Sequence, residues 1–516
     1  MNLAELHWTT QSSYPILAAL QLLPLLASVL LASLRGRAAV YPAAIGLGMA
    51  ELLLALDLYR HFDPAEPAMQ LAEQLPLLPL LGYHAAVDGM SVLFILLTAV
   101  LSLLLVLYAK VRRLARPATL LTMVFAIEAV LQGMFVTLNL LWFTLLSAAE
   151  LLLIAWLMQR WAKAPQDDMA MRRYLQFMGI GLLLLLAGVF MLGWNHAIAT
   201  GGQWSFDLHD LTLVPVPVEI QSVIFFLLFY GLGVRIPLFP LHGWLPLVAE
   251  HGTIAVAGIF LLGLKTGIYG LVRFVLPLLS EAVVRWHHWV VAFALAGIFY
   301  AATLALMQVN LRRMLAFAVI SHTGLMIIGL FSLSHTAFQG CILLSATFGT
   351  ATACLLLMSG FVYRRTRTLL LPRLGGLFGH LPVIGTAFLF AGLSIIGMPG
   401  TPGFHAVHLM LEAAILEFGA MLTIAAALGN VAAAAFLLWA FQRAFLAPLA
   451  DDVPAPEIEP PIPMERVIAV MLILILLGTG FYSEPWMNLI EHSFDGLTAI
   501  YEGNGHAGNP GPETHG

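Results

Sequence analysis

Four ionisable side chains stand inside apolar runs long enough to cross a bilayer. They are Glu128 in MVFAIEAVLQG, Glu150 in LLSAAELLLIAW, Lys265 in LLGLKTGIYGLVRF and His322 in AVISHTGLMIIG. A charged residue at the bilayer centre costs roughly 2.5–3.5 kcal/mol, so each needs a partner or a task. Lys265 lies about 16 Å into a helix starting near Ile254, close to the midplane and too deep for its stem to reach water comfortably. A buried amine there suits reversible proton carriage. Arg235, which ends an apolar run before IPLFP, is the natural cation for Glu150, because a buried carboxylate is either protonated or paired. The plainer alternatives are a fixed ion pair for Lys265 and Glu150, a hydrogen-bonded structural acid for Glu128, and a satisfied core histidine for His322.

A second group follows the Pro/Gly-rich break GMPGTPG. His405, His408 and Glu412 share one helical face at i, i+3 and i+7, with Glu417 further on. They could extend a polar path towards the outside. A metal site is the sharper alternative, but no fourth ligand is marked. His287 and His288 are expected at an outer helix end.

These residues must be positioned by membrane helices. The chain has 516 residues, 60% hydrophobic and 10% charged, with mean hydropathy +0.92. A soluble domain cannot hide that much apolar surface. About fourteen runs qualify as spans by length, among them 174–194, 254–276, 382–416 and 419–442. The fold class is therefore all-α and polytopic, in a lipid bilayer. Arg35/Arg37, Lys110–Arg116, Arg160–Arg173, Arg312/Arg313, Arg364–Arg373 and Arg443 fall in every second loop, which places both termini outside the cytoplasm. The first apolar run has its arginines after it rather than before it, so it reads as a first span and not as a signal peptide.

Two spans are interrupted, one at IPLFP (Ile236–Pro240) and one at GMPGTPG (Gly397–Gly403). Each falls late in a block of five spans. Paired discontinuous helices are the mark of inverted repeats whose unwound backbone lines a polar cavity. The chain then divides into 1–117 (three spans and an external loop), 118–276 (first five-helix repeat), 277–446 (second repeat) and 447–516 (cytoplasmic linker, last span, external tail). The loop Phe62–Asp88 suggests turns and a short hairpin. The Pro-rich, acidic stretch Leu449–Met464 reads as a linker, and the tail after Pro485 as disordered.

Several functions are disfavoured. The net charge of -5 is small and its charges lie in short loops, which argues against a nucleic-acid partner. Cys341 and Cys354 share one apolar run without metal-ligand spacing, and no GxGxxG follows a strand. No cofactor is expected on this chain.

IPLFPLHGWLP with LLGLKTGIYGLVRF resembles the seventh and eighth spans of the proton-antiporter-like subunits of respiratory complex I, NADH:quinone oxidoreductase. YHAAVDGMSVLFILLT, AIEAVLQGMFVTLNLLWF, NLRRMLAFAVISHTGLMIIGL and GMPGTPGF extend the resemblance from about Tyr83 to Phe445, and the subunit M (subunit 4) type is the nearest in pattern. The resemblance implies two inverted five-helix repeats, no cofactor, and proton translocation driven by quinone reduction in other subunits. It implies neighbours of the L, N and K types in a bacterial plasma membrane. Glu150, Glu128, Lys265 and His322 match the family's fifth-span and fourth-span glutamates, eighth-span lysine and tenth-span histidine.

Three positions depart from the family pattern. Arg235 stands where the family has lysine, and an arginine cannot give up its proton. Phe348-Gly349 stands for a histidine-glycine. Val407 stands where a glutamate is expected, leaving His408 or Glu412 to substitute. The same fold serves cation/proton antiporters and bicarbonate-uptake complexes, and the departures also suit such a paralogue or a non-pumping structural one.

Overall fold

The computed structural model describes residues 5–75, 82–161, 165–251, 263, 265–448 and 458–505. The start of the expected 254–276 span, the turns at 76–81, the linker residues 449–457 and the tail from 506 lie outside the described residues.

The main helices in chain order are α1 (Ile16–Ser33), α2 (Val40–His61), α3 (Gly89–Arg112), α4 (Pro117–Val136), α5 (Leu140–Trp161), α6 (Pro165–Ala199) and α7 (Val218–Arg235). Then come α8 (Lys265–Gly270), α9 (Ser280–Leu306), α10 (Leu311–Leu330), α11 (His335–Thr366), α12 (Pro382–Ile396), α13 (Pro402–Phe441) and α14 (Pro463–Phe481). Among the described residues, 12 helices are long and apolar enough to cross a membrane. The expected count of about fourteen differs for physical reasons. α12 is a shorter apolar half-helix, α13 holds two helices joined at a kink at Gly419 (φ 78°) where two expected spans meet, and the first part of the eighth expected span lies outside the described residues.

Burial is uneven. α10 and α11 are enclosed over 94% of their apolar windows, whereas α2, α6, α13 and α14 are enclosed over 28–33%. The enclosed helices form the centre, where polar side chains are held. The exposed ones present leucine, isoleucine and phenylalanine outward, as a lipid-facing or subunit-facing surface requires.

Outside the spans, β1 (Gln70–Leu75) pairs antiparallel with β2 (Tyr83–Val87), so the expected hairpin is present. The expectation of disorder after Pro485 is corrected. Glu484–Glu491 and Asp495–Gly505 are helical, with Leu489 and Ile490 buried. Tyr501 donates to the Leu276 carbonyl at 2.8 Å. The apolar side chains between Trp486 and Tyr501 explain it; the Gly/Asn/Pro-rich composition begins only after them.

Candidate functional site

The break after α7 is closed locally. Helix-terminal carbonyls need partners where water is scarce. Trp244, completely buried, donates from Nε1 to the Val234 carbonyl at 3.1 Å and packs edge-on to Tyr174. This fixes the last turn of α7, and with it Arg235. The Arg235 guanidinium forms an ion pair with Glu150 Oε2 and donates from Nε to Thr266 Oγ1 at 3.2 Å. Thr266 in turn donates to the Gly263 carbonyl at 2.9 Å. α5, α7 and the eighth span are thus tied at one buried point, with Tyr174 on the wall of the same small cavity. The arginine can hold Glu150 ionised but cannot relay its proton.

Lys265 follows directly and is 3% exposed. It lines a cavity of about 20 Å³ with Thr323, Ser345, Phe348, Gly349 and Thr352. That is room for about one water. A Cβ on Gly349 would overlap Lys265 Cε and lie 2.9 Å from Nζ, so the lysine passes α11 where α11 has no side chain.

On the wall of this cavity, Phe348 stacks on His322, which lies behind it, with ring centroids 5.4 Å apart and planes at 11°. His322 Nε2 lies 2.7 Å from the Ile395 carbonyl. A carbonyl only accepts, so Nε2 carries the hydrogen. His322 Nδ1 is enclosed without a protein partner. The Asn430 amide donates to the next carbonyl, that of Ile396, at 2.6 Å. These two side chains, with Gly397 at φ 79°, terminate α12 and so create the second break.

Beyond this break the helix is oriented by its small residues. Gly403 lies directly against the Ser394 carbonyl, and Val407 packs on Gly397. Gly403, Ala406, Val407, Met410 and Ala414 form the buried stripe of α13. The helical period therefore turns Phe404, His408, Glu412 and Ile415 outward, and all four are exposed. His405 is half-buried. His408 and Glu412 share a face as expected, but that face points away from His322. His287 Nε2 donates to Glu417 Oε1 at 3.1 Å, which ties α9 to α13 just before the Gly419 kink.

Glu128 is completely buried on α4 and joins none of these contacts. Sequence reasoning missed Thr266, Tyr174 and Glu51. It also missed the Arg273–Asp88 ion pair between the eighth span and the start of α3 (2.7 Å). Glu51 gave the same signal as Glu128, an acid within an apolar run.

The fold and this row of buried polar groups along two interrupted helices define an antiporter-like, polytopic ion-transport subunit. The chain matches the family described as NADH:quinone oxidoreductase/Mrp antiporter, TM, over residues 137–434. It belongs to that family. Among its relatives, NAD(P)H-quinone oxidoreductase chain 4 1 of Synechococcus sp. (strain JA-2-3B'a(2-13)) is 30% identical over 485 residues, spanning 91% of this chain and 90% of the relative. A chain of respiratory complex I from Thermus thermophilus with bound NADH superimposes with TM-score 0.82 at 27% identity, over 94% of this chain and 99% of that one. A chain of the Mrp complex from Dietzia sp. DQ12-45-1b shares the fold, with TM-score 0.81 at 19% identity, over 94% and 99% of the two chains.

Proposed function

We propose that this chain is a proton-translocating membrane-arm subunit of a complex I-type NADH:quinone oxidoreductase, driven by quinone reduction in other subunits. It would sit in a bacterial plasma membrane with both termini outside the cytoplasm, beside subunits of the L, N and K types. The observation that carries the reading is the continuity of the buried row. The Glu150–Arg235 pair adjoins Lys265 through Thr266, Lys265 opens onto a water-sized cavity walled by Phe348, and His322, stacked behind that ring, binds the carbonyl end of the second interrupted helix.

In this mechanism Lys265 takes a proton from the cytoplasmic side. Arg235 holds Glu150 as an anion, and separation of the pair raises the negative field at the lysine and favours its protonated form. Approach of the pair favours release through the cavity to His322 Nδ1. Phe348 replaces the family's titratable group, so the transfer passes its ring edge by water. The outer part of the path follows His408 and Glu412, which are exposed on this chain alone. It closes only when a neighbouring membrane-arm subunit covers that face of α13.

The test is the proton-to-electron ratio of the assembled complex in proteoliposomes. Lys265→Ala is expected to lower it without stopping electron transfer to quinone. An unchanged ratio refutes the reading.

A further inference from the structure

α2, α3 and α4 bury a second polar group, apart from the row just described. Glu51 on α2 and Glu128 on α4 are each 0% exposed. Each lies about 16 Å along its helix from the cytoplasmic end, at the depth of the bilayer midplane. Gln132, one turn beyond Glu128, donates from Nε2 to Glu51 Oε1 at 3.4 Å and to the Ile95 carbonyl at 3.5 Å. Ser102 of α3 faces Glu128. After these contacts, Glu51 Oε2, both Glu128 carboxyl oxygens, Gln132 Oε1 and Ser102 Oγ remain enclosed and without a protein partner.

That set of atoms is short of hydrogens. Four of the five oxygens can only accept unless a carboxyl is protonated. Two facing carboxylates in hydrocarbon cannot both stay ionised without a cation. The ionisable groups on the elements packed around α4 are committed elsewhere. Glu150 is held by Arg235, Arg273 by Asp88, and His84 by Asp207 and Glu5, while Lys265 lines the cavity at Phe348. α1 brings no ionisable side chain within its span. An oxygen-only donor set also disfavours softer metals.

We infer that Glu51, held by Gln132, and Glu128 form one proton-binding site that takes up and releases protons as a coupled pair. Each uptake adds a proton to a carboxylate oxygen and gives an O–H donor to the facing acid. The site needs no assumption about pumping through Lys265.

The experiment is infrared titration of the purified, assembled complex, following the deuterium-sensitive C=O stretch of protonated carboxyls. Glu51→Gln and Glu128→Gln are near-isosteric and neutral. In the wild type the band titrates in two steps. In Glu51→Gln the remaining acid titrates in one step, displaced by about one pH unit or more, and Glu128→Gln gives the reciprocal result. Should either variant fail to assemble, Gln132→Leu keeps both acids and removes the amide donor to Glu51, and it is expected to shift the same band. A band unaffected by all assembled variants overturns the inference. So does a band that vanishes in sodium buffer but persists in choline buffer, which would make this a sodium site.

Discussion

Arg273 and Asp88 form a two-pronged ion pair in the closed interior, Nη1 to Oδ2 at 2.8 Å and Nη2 to Oδ1 at 2.7 Å. Asp88 also caps α3 by accepting from the Ser91 amide at 2.9 Å, and Arg273 donates to the Ser91 hydroxyl at 2.9 Å and to Tyr269 at 3.1 Å. The eighth span, which carries Lys265, is therefore anchored to α3 by charge. Removing one partner leaves a buried charge unmatched, at roughly 3–5 kcal/mol. Arg273→Leu is expected to lower the thermal stability of the complex strongly. Asp88→Leu combined with Arg273→Leu should be less damaging than Arg273→Leu alone, because neither charge then remains.

Gly349→Ala separates the lysine's position from the stability of α11. Alanine in a helix interior is favoured over glycine by about 0.8–1.0 kcal/mol, so the helix itself should tolerate the change. The added Cβ would overlap Lys265 Cε and displace the amine from the cavity. The proton-to-electron ratio is expected to fall to the level of Lys265→Ala, with assembly and quinone reduction retained. A wild-type ratio would mean that the lysine works from another position.

Some of this site was legible in the sequence and some was not. Glu150 and Arg235 could be matched because both stand in hydrocarbon-length runs and each is costly alone. The contact between His322 and Ile395 joins residues 73 apart in sequence, and no local pattern announces it. The outward turn of His408 was readable from the apolar stripe Gly403–Ala406–Met410–Ala414. His408 cannot take the direction of the missing acid at Val407, since one step along a helix rotates a side chain by about 100°. Glu51 carried the lone-acid signal but lacked any sequence neighbour to suggest a partner. The fold class followed from hydropathy alone. The span count depended on Gly419 and α12, where helix length stops being a guide.

Outside the membrane, His84 of β2 ties the hairpin to two other segments. Its Nδ1 lies 2.6 Å from Asp207 and its Nε2 lies 2.8 Å from Glu5. Burial alone would push its pKa down, but Asp207 and Glu5 outweigh this and lift it from 6.5 to about 10. A histidine pKa raised on folding contributes stability that is complete below about 6.5 and is lost as pH rises through about 10. Amide exchange across Tyr83–Val87 is expected to accelerate over that window. His84→Gln should exchange faster at neutral pH and lose most of the pH dependence.

The exposed face of α13 makes the last prediction. His408 stacks parallel to Phe404, with centroids 6.3 Å apart, and Glu412 lies one turn on; both are exposed. His408 is about 9 Å beyond the start of α13, within the outer half of the bilayer if the break lies near its middle. Ionisable side chains within a span rarely face lipid, and almost always face protein or a water-filled cavity. Leu416 and Met421, 82% and 90% exposed, mark the outer continuation of the same surface. A neighbouring membrane-arm subunit is thus expected to cover His408 and Glu412. Cysteine at Ile415, which is 47% exposed on this face, should crosslink to that neighbour in native membranes, whereas cysteine at Phe190, exposed on α6, should not. Glu412→Gln should lower the proton-to-electron ratio in the assembled complex. If Ile415→Cys forms no crosslink and Glu412→Gln pumps normally, the outer path does not run along this face.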